Sequence, residues 1–205
     1  MSGTARTALF PGTFDPFTNG HLDLTERASR LFPKVVVAIS LSPKKGTLFP
    51  LEERAELARK AVAKLSNVEV IGFAGLVVDC AKKVGAEVMC RGIRAVTDFE
   101  YEYQMALMNR RLSPELEVVF LMPAARYTFL NSTLVKEIAR LGGDITGLLP
   151  PNVEARLLDL FRDRGAHLIE QIVDLLAIDT NLVGQRHRAR VVDQVVEFVY
   201  EDQDV

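Results

Sequence analysis

The sequence predicts an α/β fold: a doubly wound, five-stranded parallel sheet with helices on both faces, followed by a C-terminal helical appendage. Three observations predict it. Short β-branched apolar runs alternate with amphipathic stretches, the pattern of strands joined by right-handed helical crossovers. The chain has 205 residues, 48% hydrophobic and 25% charged, enough for one domain with a large core and a small addition. The residues suited to anion chemistry follow the ends of the apolar runs, where open parallel sheets bind ligands.

The first strand is expected over Thr7–Phe10, before a Gly-containing turn, and the first helix over Leu22–Leu31. Val35–Leu41 is a nearly unbroken apolar run, as a strand buried on both faces requires. Leu51–Leu65 reads as a helix opened behind Pro50, with Glu52 and Glu53 near its positive dipole end in a structural role. Strands over Val68–Phe73, Glu87–Cys90 and Val118–Met122 alternate with helices over Leu76–Val84 and Phe99–Leu112. Gly142-Gly143 and Pro150-Pro151 are stop signals. The predicted organisation is an α/β domain over 1–163 and a helical extension over 164–205. The extension reads as amphipathic stretches at Ala166–Ile178 and His187–Tyr200 linked by Asp179–Gly184. Such a hairpin cannot bury its apolar face alone and is expected to dock on the domain or another subunit.

Net charge is −2, from 25 basic and 27 acidic residues, which speaks against a general nucleic-acid or membrane surface. Any anion site must be built locally. Cys80 and Cys90 form no C-x-x-C pair and read as small buried hydrophobes rather than zinc ligands or a disulfide. No secretory leader or membrane span is legible, so a cytoplasmic, soluble protein is expected.

The richest stretch is Pro11-Gly-Thr-Phe-Asp-Pro-Phe-Thr-Asn-Gly-His21, which links the first strand to the first helix. A helix start offers unpaired N–H groups and positive potential to phosphate, and His21 at that boundary can donate to a phosphoryl oxygen. Gly12 and Gly20 are expected to supply close approach and unusual dihedrals. The alternative is an ordinary connection with a solvated histidine. Thr18-Asn19-Gly20-His21 has the T/H-x-G-H pattern of the nucleotidylyltransferase superfamily, and the surrounding residues resemble bacterial phosphopantetheine adenylyltransferases. Further blocks follow in the same order: Ser42-Pro-Lys-Lys45, Leu51-Glu-Glu-Arg54, Arg91-Gly-Ile-Arg-Ala-Val96, Asp98-Phe-Glu-Tyr-Glu102 and Ser132-Thr-Leu-Val-Lys136. The resemblance runs from about residue 7 to about residue 162.

That resemblance implies a Rossmann-like fold and in-line transfer of the adenylyl group of ATP to 4′-phosphopantetheine. The products would be dephospho-CoA and pyrophosphate, with no covalent enzyme intermediate. It implies catalytic roles for His21, Lys45 and Arg94, and acceptor binding by Thr13, Lys45, Val77, Arg91, Met105 and Asn109. ATP would meet Thr13, Phe14, His21, Gly92, Ile93, Arg94 and Glu102, the last on or near the ribose. Tyr127, Thr128, Phe129, Leu130, Asn131, Ser132 and Thr133 match the loop that wraps the triphosphate. Mg²⁺ is implied as cofactor, held mainly by the phosphates, with a homohexamer and feedback inhibition by CoA.

The residue types suit this chemistry, because adenylyl transfer needs positioning and charge stabilisation more than covalent help. Lys45 is a mobile point charge, whereas Arg91 and Arg94 present planar forks to phosphate. Each has a plainer alternative. Lys44 and Lys45 could be solvated, Arg91 and Arg94 could pair with Asp98 and Glu102, Asp98 could be an N-cap, and Met105 and Met108 could fill the core. Asp15 is expected to shape its turn, and His167 and His187 to be solvated. One block departs from the family pattern: Asn131 stands where a serine is usual before Ser132 and Thr133, which are expected to cap the following helix. Other readings are another adenylyl- or cytidylyltransferase of the superfamily, or a nucleotide- or CoA-binding sensor without turnover.

Overall fold

The computed structural model describes residues 6–41 and 46–163. Two compact units divide the chain, Met1–Glu137 with Ile145–Glu154, and Ile138–Asp144 with Ala155–Val205. The stretches assigned to the appendage, 164–205, and with them His167 and His187, lie outside the described residues, as does Ser42–Lys45.

Five strands form the sheet of the first unit: β1 Thr7–Gly12, β2 Lys34–Ser40, β3 Val68–Phe73, β4 Ala86–Gly92 and β5 Glu117–Leu121. All pairs are parallel and the spatial order is β3-β2-β1-β4-β5. Successive side chains of a strand point to opposite faces, and the core divides accordingly. Phe10, Val35, Val37, Ile39 and Cys90 pack on one face with Leu24 and Ala28 of α1 (Asn19–Leu31) and Ala55 and Ala58 of α2 (Leu51–Ala61). Leu9, Val36, Ala38 and Met89 pack on the other with Val78, Cys80 and Ala81 of α3 (Val77–Val84). Residues 35–39 of β2 are buried without a break, because helices cover both of its faces. Both cysteines are buried and unpaired, and burial pushes the Cys90 thiol up to about 12, so it packs as a small hydrophobe.

Helix ends follow local chemistry. Thr18 caps α1, which stops at Leu31, just before the residue preceding Pro33. Gly85, with φ of 65°, closes α3 in the left-handed conformation. Helix α4 (Val96–Leu112) has no clean apolar stripe, and Phe99, Tyr101, Tyr103, Leu107 and Met108 are all exposed. Beyond β5 come a 3₁₀ turn over Ala125–Tyr127 and α5 (Ser132–Arg140). In the second unit, Gly143 donates to the Ile138 carbonyl at 2.9 Å to close the end of α5. Helical residues 151–163 follow Pro150, whose carbonyl accepts from Val153 and Glu154.

β1 sits between β2 and β4, so the crossovers leave it in opposite directions. That reversal opens a crevice beyond the carboxyl ends of β1 and β4, the usual ligand position in an open α/β sheet. β1 continues past its expected end at Phe10 through Pro11 and Gly12, in register with Ala38 and Ile39. Helix α1 starts at Asn19 instead of Leu22, which moves His21 inside the helix.

Candidate active site

The crevice holds a cavity of about 480 Å³, bounded by the loop after β1, the ends of β4 and α4, and the Tyr127–Lys136 segment. A second cavity of about 240 Å³ adjoins it. Thr13, Arg91 and Glu102 line both, so the two meet at these residues.

His21 is the third residue of α1, and its position fixes its tautomer. The backbone N–H of Thr18 donates to His21 Nδ1 at 3.0 Å, while His21 N–H donates to Thr18 Oγ1 at 3.3 Å. This is a capping box in which an imidazole occupies the place of the usual Glu or Gln. With Nδ1 accepting, the ring proton resides on Nε2, free to donate to a ligand. Burial lowers the imidazole pKa to about 3, helped by the positive charges of Arg94 and Arg91. His21 is therefore a neutral donor at ordinary pH. Phe14 meets the ring edge-on at 4.9 Å, and Phe17 lies at 5.6 Å.

The loop geometry corrects one expectation. Neither Gly12 nor Gly20 has positive φ; the left-handed residue is Phe14, with φ of 49°. Gly12 serves by lacking a side chain, since a Cβ there would lie 2.7 Å from Phe14 Cζ. Gly92 likewise lets α1 approach β4, because a Cβ would lie 2.5 Å from Leu24 Cδ1.

Three cations of the first cavity are held by carboxylates. Arg91 forms a bidentate pair with Glu102, at 2.7 Å from Nε and 2.6 Å from Nη2, and donates to the Pro11 carbonyl at 2.8 Å. Arg94 is gripped by Asp98, which also accepts the Arg94 N–H at 3.0 Å. Lys136 donates to Asp15 at 2.7 Å. The pairing alternative for both arginines is thus present, and in the same residues that face the cavity. Asp98 is not the N-cap of α4: Ala95 is, and Asp98 reaches back from the third helical position. Asp15 shapes more than its own turn, accepting from Leu48 and Phe49 N–H at 2.9 and 3.0 Å.

In the late loop, Asn131 Oδ1 accepts from Leu134 N–H at 2.8 Å and so caps α5, the task expected of Ser132 and Thr133. Ser132 instead donates to the Pro16 carbonyl at 2.8 Å, joining this loop to the first. Tyr127 borders the cavity beneath the Arg126 guanidinium, whose centre lies 4.9 Å from the ring.

The structure brings Thr13, Phe14, His21, Arg91, Gly92, Arg94, Glu102, Tyr127 and Leu130–Thr133 to the larger cavity. Val77, Met105 and Asn109 line the smaller one with Thr13, Arg91 and Glu102. Ile93, Thr128 and Phe129 line neither; Ile93 N–H donates to the Leu121 carbonyl, and Phe129 is exposed. Met105 and Met108 are not core filler, being 36% and 53% exposed. Lys45 lies outside the described residues. Sequence reasoning missed Lys136 and Arg54. Arg54 carried a signal: it falls on the apolar stripe of α2 with Ala58 and Leu51.

At the switch point of a Rossmann-like sheet stand the Thr18–His21 capping box of α1 and two carboxylate-paired arginines, where open α/β sheets take their ligands. Residues 9–138 match the cytidylyltransferase-like family, and the chain belongs to that family, within the nucleotidyltransferase superfamily. Among solved structures, it is similar to a Vibrio parahaemolyticus protein assigned as a nicotinate-nucleotide adenylyltransferase. The TM-score is 0.61 at 18% identity, over 78% of this chain and 96% of the other. It is also similar to a bifunctional NMN adenylyltransferase/ADP-ribose pyrophosphatase from Francisella tularensis, with a TM-score of 0.59 at 16% identity over 86% of this chain and 57% of that one. At such identities the likeness is one of fold. Among the described residues no helix is long and apolar enough to cross a membrane, and no three His, Cys, Asp or Glu side chains gather to hold a metal.

Proposed function

We propose that the protein transfers the adenylyl group of ATP to 4′-phosphopantetheine, forming dephospho-CoA and pyrophosphate. The observation that carries this reading is the pair of adjoining cavities of unlike character meeting at Thr13, Arg91 and Glu102. The larger has the room and the donors for a nucleoside triphosphate. The smaller is lined by Phe73, Val77, Met89, Met105 and Val118, with Ser40, Tyr101 and Asn109 as polar groups beyond the shared residues. Those walls suit an aliphatic arm carrying amides better than the hydroxyl-rich ribose of a mononucleotide.

In this reading the acceptor phosphate lies at the meeting point, beside Thr13 and Arg91. One of its oxygens attacks the α-phosphorus of ATP as the bond to the β-bridging oxygen breaks, and pyrophosphate leaves on the far side. His21 Nε2–H donates to a non-bridging α-oxygen as charge builds there, without giving up its proton. Arg94 faces the β- or γ-phosphate, and the family resemblance would add Lys45, outside the described residues, as the charge between acceptor and α-phosphate. Asp15 and Glu102 are both engaged by cations, so Mg²⁺ would be carried mainly by the phosphates, whose charge it would neutralise. CoA, sharing the acceptor arm, would compete for the smaller cavity. A homohexamer belongs to the same proposal, and the exposed apolar residues of α4 support self-association.

The test is pyrophosphate release from ATP and Mg²⁺ with 4′-phosphopantetheine, nicotinate mononucleotide or no acceptor. Product with phosphopantetheine alone is the expected result. Product with the mononucleotide alone would move the protein to the activity for which the Vibrio parahaemolyticus structure is named. Nucleotide binding without product would leave a sensor.

A further inference from the structure

Arg54 has no role in the transfer step, yet it is the largest fully buried side chain of the described residues, 1% exposed. Its guanidinium hydrogen bonds go to main-chain carbonyls. Nε donates to Phe49 O at 3.0 Å, and Nη1 donates to both Ser40 O, at 3.0 Å, and Thr13 O. Burial lowers the guanidinium pKa, and the charges of Asp15 and Glu52 oppose that shift. A buried guanidinium is costly, and a helix face beside Ala55 and Ala58 would be cheaper to fill with a hydrocarbon.

The position of these carbonyls shows what the arginine does. The β1–β2 ladder ends at the Gly12–Ile39 pair. The next carbonyls, Thr13 O and Ser40 O, lie where the strands part to form the crevice, and one nitrogen of Arg54 ties both. Thr13 lines both cavities and Ser40 lines the smaller. The same guanidinium reaches Phe49, whose N–H is held by Asp15. We propose that Arg54 is a positioning residue for the acceptor side of the site: it sets the gap between the ends of β1 and β2, and with it the placement of Thr13, without touching a ligand. Lysine cannot replace it, since a single ammonium on a flexible stem does not present a rigid fork to three carbonyls.

This inference rests on the adenylyl-transfer reading, and the experiment separates the two. Wild type, Arg54→Lys and Arg54→Gln are compared by melting temperature and by KM and kcat for ATP, phosphopantetheine and nicotinate mononucleotide. A folded Arg54→Lys should raise KM for the acceptor about tenfold and KM for ATP by clearly less, because Thr13 lines both cavities whereas Ser40 lines only the smaller. Combined with Thr13→Val, its effect should shrink, as for residues acting through one another. An unchanged acceptor KM, an equal rise for both substrates, additivity with Thr13→Val, or loss of folding in both variants would overturn the proposal. Wild-type transfer to the mononucleotide alone would remove the phosphopantetheine reading and leave Arg54 to be judged on that acceptor. No transfer to either would overturn both.

Discussion

His21 owes its chemistry to the residue three positions before it. Thr18 holds Nδ1, so the imidazole presents Nε2–H, and burial with two neighbouring arginines keeps it neutral. His21→Ala should cut turnover by about 10²–10³-fold, the loss typical of one preorganised donor, while ATP binding measured by calorimetry survives. The group also has a pH signature. Its folded pKa, about 3, lies below the unfolded value of 6.5, so between these the unfolded chain binds a proton that the folded chain refuses. Its contribution is intact above pH 6.5 and is lost as the pH falls toward 3. Denaturant midpoints measured across this window should fall less steeply for His21→Gln. Gly12 acts through space alone: Gly12→Ala sets a Cβ 2.7 Å from Phe14 Cζ and should cost about 1–3 kcal/mol in urea unfolding.

At the scale of elements, the site is assembled by ties between segments distant in sequence. Asn19 Nδ2 donates to the carbonyls of Gly147 and Leu149, Asp23 accepts from Ala124 N–H, and Ser132 donates to Pro16. These bonds tie α1 and the loop before it to segments more than a hundred residues away. The cap of α5 belongs to this scale. Asn131→Ala should destabilise that helix by about 1 kcal/mol, read as faster amide exchange at its first turn, whereas Asn131→Ser should be nearly neutral because serine caps equally well.

At the scale of the whole molecule, α4 carries half of the exposed large apolar side chains among the described residues. Phe99 and Tyr103 stack at 5.8 Å on its exposed side, with Leu107 and Met108 also open to solvent. Under the proposed assembly this face is covered by another copy. Leu107→Asp with Tyr103→Glu should then lower the sedimenting mass, and a wild type that already sediments as a monomer would count against the assembly.

The alternation of strands and helices is legible in the sequence, because burial on both faces demands unbroken runs such as the one that forms β2, and Pro50 opens α2 as its fixed φ favours. Connectivity also sends Thr13, His21 and Arg94 to the carboxyl edge of the parallel sheet, as their positions after apolar runs imply, whereas β4 runs two residues past its expected end at Cys90 and takes Arg91 into the strand itself. Pro11 concealed the full length of β1, for a proline reads locally as a stop even where the neighbouring strands keep it in register. Tertiary structure alone decided which carboxylate each cation meets, that Asn131 and not Ser132 caps α5, that His21 is neutral, and that Arg54 bridges Thr13 and Ser40. Hydrophobic pattern is periodic along the chain and can be read from it. Hydrogen bonds across 36 residues, as from Arg94 to Leu130, or across 121, as from Lys136 to Asp15, depend on distances that exist only once the sheet has brought its ends together.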